Sequence, residues 1–234
     1  MTQVAVVTGA SSGIGAALVR RLRGRGTLVI GLSRRPSEAD ELEECDVSDR
    51  DAVTAAAGRI LERHPRLDLV VNNAGCSARG GFLTSSDEEI ERVLDVNYLG
   101  SVWVARALLL GLGDGSHLVN VVSVAGTVAY GPYSASKHAQ LALSRSLTAE
   151  LAPRGISVHT VNPGFVETPG FPNRERLRPF GRLVIDPDTV AKRILDAVDH
   201  DRRELVVPRW YAPAAWLQAV APGGLARLRA RAGC

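Results

Sequence analysis

The chain has 234 residues, 45% of them hydrophobic and 23% charged, and a formal net charge of +3. These are globular proportions, in a chain long enough to bury a sizeable core. The small positive excess, with no run of five or more Lys or Arg, argues against a nucleic-acid partner. No apolar stretch reaches the ~18 residues of a transmembrane segment. The N-terminus lacks the basic and apolar regions of a leader, and Cys45, Cys76 and Cys234 show no metal-ligand spacing. A reducing, cytoplasmic compartment is the expectation.

In chain order, QVAVVTG (3–9) reads as a strand ending in glycine, and AALVRRLRGRG (16–26) as a helix stopped by Gly24 and Gly26. TLVIGLS (27–33), LDLVVNNAG (67–75) and SHLVNVVSVAG (116–126) read as three further strands. Between the last two, residues 87–112 keep one long helical period. YSASKHAQLALSRSLTAELAPRG (133–155) is a helix ended by Pro153 and Gly155, ISVHTVNPG (156–164) a strand, and DPDTVAKRILDAV (186–198) a helix with an acidic, Pro-containing start. RELVVPR (203–209) is a last short strand. The alternation predicts an α/β fold: one Rossmann-type, doubly wound parallel sheet over 1–208, with 209–234 a tail on the same domain, serving as cap or subunit contact. Ligands of such a sheet sit beyond the carboxyl ends of its strands, here just after Gly9, Ser33, Gly75, Ser123 and Gly164.

TGASSGIG (8–15) joins the first strand to the first helix, with Gly9, Gly13 and Gly15 in a GxxxGxG pattern. Glycines there permit a tight turn and bring a pyrophosphate against bare backbone at a helix N-terminus. At the end of the second strand, where an acid would bond the ribose hydroxyl of NAD, stand Ser33, Arg34 and Arg35. An arginine fork suits the 2′-phosphate of NADP, so NADP(H) is expected over NAD(H), with Arg34 the better placed. The alternative is a solvated surface pair.

TGASSGIG, NNAG (72–75), VN (96–97), SVAG (123–126), YSASK (133–137) and NPG (162–164), in that order, resemble the single-domain short-chain dehydrogenase/reductase family over roughly residues 3–208. The resemblance implies cofactor contacts from Gly9, Ser11, Ser12, Gly13, Ile14 and Gly15 in the turn, and from Ser33, Arg34 and Arg35 after the second strand. It implies adenine contacts from Asp46 and Val47, packing of Asn72, Asn73, Ala74 and Gly75 against the cofactor, and contacts near the nicotinamide from Pro163, Gly164, Val166 and Thr168. Ser123, Tyr133 and Lys137 would be the catalytic set, Tyr133 and Lys137 also touching the cofactor, and Asn97 would hold a water beside the lysine. A homodimer or homotetramer is implied as well.

Tyr133 and Lys137 are i and i+4, on one helix face with only small residues between. A phenol of pKa about 10 is a poor catalyst at neutral pH, and a nearby ammonium would lower it. The expected activity is NADPH-dependent reduction of a ketone or aldehyde to an alcohol, or the reverse, on a small-molecule substrate. The rival is a non-catalytic NADP(H)-binding sensor or partner protein.

Two segments are short for the family. Between SRRP and CDVSD the second helix is expected to be vestigial, and the loop from Ser123 to Tyr133 is trimmed. Phe165, Phe171 and Phe180 with Arg174, Arg176, Arg178 and Arg182 occupy the place of a lid, and Trp210, Tyr211 and Trp216 open the tail. Cys76 reads as a small buried thiol. His138 is given no catalytic role, and His64, His117, His159 and His200 show no spacing that suggests a metal.

Overall fold

The computed structural model describes residues 2–78, 80–128, 131–169, 180–213, 217 and 223. Seven strands, β1 (Val4–Thr8), β2 (Leu28–Ser33), β3 (Glu41–Glu44), β4 (Leu69–Asn72), β5 (His117–Val121), β6 (Ser157–Pro163) and β7 (Glu204–Val207), form one sheet in the order β3-β2-β1-β4-β5-β6-β7. Every pairing is parallel. The helices are α1 (Gly13–Arg23), α2 (Arg50–Arg63), α3 (Asp87–Leu94), α4 (Gly100–Leu108), α5 (Gly131–Leu151) and α6 (Pro187–Asp199). None of the described helices is long and apolar enough to cross a membrane.

Both faces of the sheet are covered, which is why the strands read as unbroken apolar runs. Ala5, Val7, Val29, Val119 and Val161 pack with Leu18 of α1 and Ile194 of α6. Their neighbours Val6, Ile30, Leu118 and Val158 pack on the other face with Ile60 of α2 and Leu108 of α4. The strand order reverses between β1 and β4, so the crevice above these two carboxyl ends is the expected ligand position.

The sequence expectation contains six of the strands; β3 and α2 are additional. In β3 the polarity is inverted, with Glu43 buried and Leu42 exposed. The inward acid is held by α2, where Arg59 Nε donates to Glu43 Oε2 at 2.8 Å and Arg63 Nη2 to Oε1 at 2.6 Å. Charge on an edge strand also disfavours pairing with another chain.

The expected vestigial helix is absent altogether. A parallel crossover usually needs a dozen or more residues, yet residues 34–40 return to the bottom of the sheet without a helix. Asp40 pins this strap: its backbone N–H donates to Val29 O and its Oδ2 accepts from Val29 N, both at 2.9 Å. From α1, Arg23 donates to Asp40 Oδ1 at 2.7 Å and to Glu38 O at 2.8 Å. The strap lies on Gly31, where a Cβ would stand 2.8 Å from Ser37 Oγ, 3.0 Å from Ala10 Cβ and 3.1 Å from Ala39 Cβ.

The single long helix expected over 87–112 is interrupted. One π-helical turn, Asp95–Leu99, separates α3 from α4, and α4 ends at Leu108. Such turns concentrate at functional sites, and this one carries Asn97.

Gly31→Ala should destabilise the chain by about 1–3 kcal/mol through overpacking, read as a lower urea midpoint. An unchanged midpoint would show that the strap is not seated on β2.

Candidate active site

The β1–α1 turn is shaped by contacts that exclude side chains. Gly9 and Gly13 have φ of 65° and 54°, and a Cβ on Gly15 would lie 2.2 Å from Gly9 O. The turn is tied to the segment after β4. Thr8 Oγ1 accepts from Asn73 N and Ala74 N at 2.9 Å, while Asn73 Nδ2 donates to Thr8 O at 2.9 Å. Ser12, at the cap of α1, makes no side-chain capping bond, and the first turn holds no acid. First-turn N–H groups of a helix have no intrahelical acceptor, so this end suits an anion. Thr168 stands against the same turn, its Cγ2 3.0 Å from where a Gly13 Cβ would be.

At the end of β2, Ser33 is buried and its hydroxyl donates to Arg35 O at 2.6 Å. Arg34 is 73% exposed and reaches Asp46 Oδ2 at 3.2 Å. Asp46 Oδ1 accepts from the Ser48 amide and hydroxyl at 3.0 and 2.7 Å. Burial opposes ionisation of Asp46, but the Ser48 bonds and Arg34 outweigh it and hold the carboxyl below its usual range. Val47 is buried against Gly100. The positions expected at the adenine end are thus adjacent despite the missing helix.

Ser123 follows β5 and Tyr133 opens α5. The Ser123 hydroxyl accepts from Ala125 N at 3.1 Å, contacts Pro163 O at 3.4 Å and is hydrogen-bonded to the Tyr133 side chain. The trimmed loop therefore still joins the two residues. Gly126 makes this possible, because a Cβ there would be 2.8 Å from Lys137 O. Ser134 closes the turn by donating to Ala125 O at 2.6 Å and to Val128 O.

The lysine departs from expectation. Burial raises the Tyr133 pKa, with the Ser123 bond opposing in part, and Lys137 is not among the groups acting on it. The Lys137 ammonium lies 6.0 Å from the Tyr133 ring centroid and is pulled down to a pKa of about 8 by burial. It donates to Val121 O at 3.2 Å and to Gln140 Oε1 at 2.7 Å. Gln140, fully buried, donates to Ser101 Oγ at 2.8 Å, and Ser101 donates to Asn97 O at 2.9 Å. Sequence reasoning missed Gln140. Its signal is a polar residue three positions after Lys137, on the face of α5 that turns inward.

Asn97 is also fully buried, but no described hydrogen bond joins its side chain to Lys137. Its Nδ2 donates to Cys76 O and Ser136 Oγ, both at 2.9 Å, and its Oδ1 accepts from Cys76 N at 2.8 Å. The amide fastens the segment after Gly75 to α5. Cys76 is half-buried rather than buried.

Gly164 donates to Val207 O at 2.7 Å and lies under the Tyr211 ring, whose Cε2 would be 2.1 Å from a Gly164 Cβ. Trp210 stacks on Tyr211 at 3.9 Å and Phe165 meets it edge-on at 6.0 Å. The start of the tail thus covers the turn after β6, whose Val166 bridges to Ile185. Phe171, Arg174, Arg176, Arg178, Trp216 and the side chains of Phe180 and Arg182 lie outside the described residues.

Asn97→Leu would leave the Cys76 amide, the Cys76 carbonyl and Ser136 without this partner. It should cost about 1–3 kcal/mol per buried group left unsatisfied, measured by thermal or urea unfolding. Parental stability would mean that the amide is dispensable for the scaffold.

Residues 3–177 match the short chain dehydrogenase family. A Streptomyces virginiae protein described as a ketoacyl reductase of the monensin polyketide synthase is 39% identical over 188 residues, covering 72% of each chain. A solved actinorhodin polyketide ketoreductase variant with NADPH superposes with a TM-score of 0.78 at 29% identity, covering 88% of this chain and 95% of its own. A short chain dehydrogenase from Burkholderia cenocepacia in complex with NADP gives 0.82 at 28% identity, covering 98% and 97%. The chain belongs to the short chain dehydrogenase family, and is an oxidoreductase of that family.

Proposed function

We propose that the protein is an NADP(H)-dependent reductase that converts a ketone or aldehyde to an alcohol, with Tyr133 as proton donor. The observation that carries this reading is the hydrogen-bonded Ser123–Tyr133 pair beside the buried Lys137, at the carboxyl end of the sheet. The same pair argues against a non-catalytic sensor, a reading that leaned on the short loop before Tyr133. Relatives described as ketoacyl and polyketide ketoreductases favour a ketone on an acyl-type chain.

The residues fit a dinucleotide. The uncapped N-terminus of α1 and the side-chain-free turn would receive the pyrophosphate through Gly9, Ser11, Ser12, Gly13, Ile14 and Gly15, with Thr168 on the same turn. Arg34 would hold the 2′-phosphate, with Ser33 and Arg35 shaping the strap around it. Asp46 and Val47 would face the adenine, and Asn73, Ala74 and Gly75 would back the crevice. Pro163, Gly164 and Val166 would border the nicotinamide. Bound NADPH supplies the hydride.

The chain supplies the proton and the electrostatics. Ser123 donates to the carbonyl oxygen as it becomes an alkoxide, and Tyr133 gives that oxygen its proton. A phenol whose pKa is raised stays protonated at neutral pH, which suits an acid and hinders a base. Lys137, with a pKa of about 8, is mostly an ammonium at pH 7 and favours the phenolate left behind. Gln140 and Val121 O hold that ammonium in place.

Tyr133→Phe should abolish turnover with NADPH and a ketone while leaving NADPH affinity nearly unchanged; retained turnover removes Tyr133 from the chemistry. Arg34→Ala should weaken NADPH binding by about tenfold or more, the worth of one lost charge-assisted bond, and leave NADH binding alone. An equal loss for both would remove the 2′-phosphate assignment. In the oxidation direction Tyr133 must first lose its proton. Oxidation should therefore climb steeply as pH rises above neutral, while reduction stays level across pH 6–7.5, both measured by absorbance of the reduced nicotinamide.

A further inference from the structure

At the end of the sheet opposite the glycine turn, three side chains that the proposed reaction does not use converge. His117 begins β5, and His159 lies in β6 opposite Val119, so the two imidazoles share one face of the sheet. His117 Nδ1 is 2.9 Å from His159 Nε2. Asp201, in the turn between α6 and β7, brings its carboxylate to them, and the three ligand atoms lie within 4.8 Å of one another. Asp201 takes a left-handed φ of 48°, the only positive value among the described non-glycine residues.

The protonation pattern suits metal binding. Arg202 O can only accept, so His159 Nδ1 donates to it at 2.9 Å and leaves the lone pair on Nε2, toward His117. A carbonyl that fixes the far ring nitrogen is the usual support of a ligating histidine. Asp201 Oδ2 also accepts from Arg203 at 2.9 Å, and its side chain is 54% exposed. Beside the cluster opens a cavity of about 380 Å³, whose walls include His117, Asp201, Asp68, Asp199 and His200. It gives an ion a route in and room for water ligands.

We propose that His117 Nδ1, His159 Nε2 and an Asp201 carboxylate oxygen bind one divalent transition-metal ion, with Zn²⁺ the prime candidate and water completing the shell toward the cavity. Two imidazoles and a carboxylate suit Zn²⁺, Co²⁺ or Ni²⁺ better than Mg²⁺ or Ca²⁺. Tetrahedral zinc with bonds of about 2.1 Å sets ligand atoms about 3.4 Å apart, so the carboxylate must close in by up to about 1.4 Å and the two imidazole nitrogens, now 2.9 Å apart, must part by about half an ångström. The proton that His117 Nδ1 shares with His159 moves, by exchange with solvent, to His117 Nε2. The ion would tie the turn before β7 to β5 and β6. The other two residues are 42 and 84 positions from His117 along the chain, a separation that hides the set from spacing rules.

The test uses the full chain stripped with a chelator, titrated calorimetrically with Zn²⁺, Co²⁺ and Mg²⁺ while its unfolding temperature is followed. Expected are one Zn²⁺ per chain, an unfolding temperature that rises with Zn²⁺ concentration, and no effect of Mg²⁺. Asp201→Asn keeps a residue tolerant of positive φ, and His117→Asn alters a half-buried position at the start of β5. Each should lose at least about tenfold in Zn²⁺ affinity, whereas His200→Asn, on the cavity wall, should bind as the parent does. Absence of Zn²⁺ binding, or affinity unchanged in both ligand variants, overturns the proposal.

Discussion

The interior position of the Lys137 ammonium is the constraint around which the rest is arranged. A depression from 10.5 to about 8 is on the order of 3 kcal/mol. Burying an ion left without partners is costly, so the hydrogen bonds to this ammonium matter. They are specific: Val121 O at the end of β5, and Gln140 Oε1 one turn further along α5. Each acceptor needs its own support. Gln140 is oriented by Ser101, and Ser101 by the carbonyl of Asn97 in the π-helical turn. The interruption between α3 and α4 thus places a carbonyl and an amide in the interior that an unbroken helix would aim elsewhere.

The same polar seam reaches further. Asn72 donates to Asn120 Oδ1 at 2.9 Å, Asn120 donates to Ser144 Oγ at 2.9 Å, and Ser144 pairs with Thr160 at 2.7 Å. These residues sit on β4, β5, α5 and β6, the elements that end at the proposed reaction centre. Buried polar groups that satisfy one another fix a single geometry, whereas an apolar seam of the same volume tolerates small slides. The Ser123–Tyr133 pair is therefore mounted at the end of this hydrogen-bonded seam. The adenine end is built differently, from exposed Arg34 and a short strap over Gly31.

Much of this was legible in the chain. The glycine turn, the nearness of Ser123 to Tyr133 and the alternation of strands with helices all depend on short-range spacing, and the turn and the pair stand at the carboxyl end of the parallel sheet. The elements that escaped are those whose local pattern is inverted or faint. In β3 the buried residue is Glu43, acceptable only because Arg59 and Arg63 come from a later helix. In α2 the signature is present, with Asp49 capping Asp51 and Ala52 and with Val53, Ala56, Ala57 and Ile60 buried. Its alanines make that period weak in hydrophobicity. The orientation of Lys137 was not legible either: i and i+4 spacing puts two side chains on one face but does not say which acceptor the longer one finds.

The two shifted groups together bias the direction of the proposed chemistry. Burial alone favours the neutral phenol and the neutral amine, and both directions are present, upward for Tyr133 and downward for Lys137. At neutral pH the lysine nonetheless keeps its proton, because about 8 still lies above 7. The resting pair is then phenol plus ammonium. When the phenol gives its proton to an alkoxide, the phenolate appears in a buried site whose nearest placed ammonium is Lys137, 6.0 Å from the ring centroid. The reverse step must begin from a phenolate that burial disfavours. The arrangement therefore keeps Tyr133 protonated at neutral pH, the form that the proposed reduction would need and that the reverse step would first have to lose.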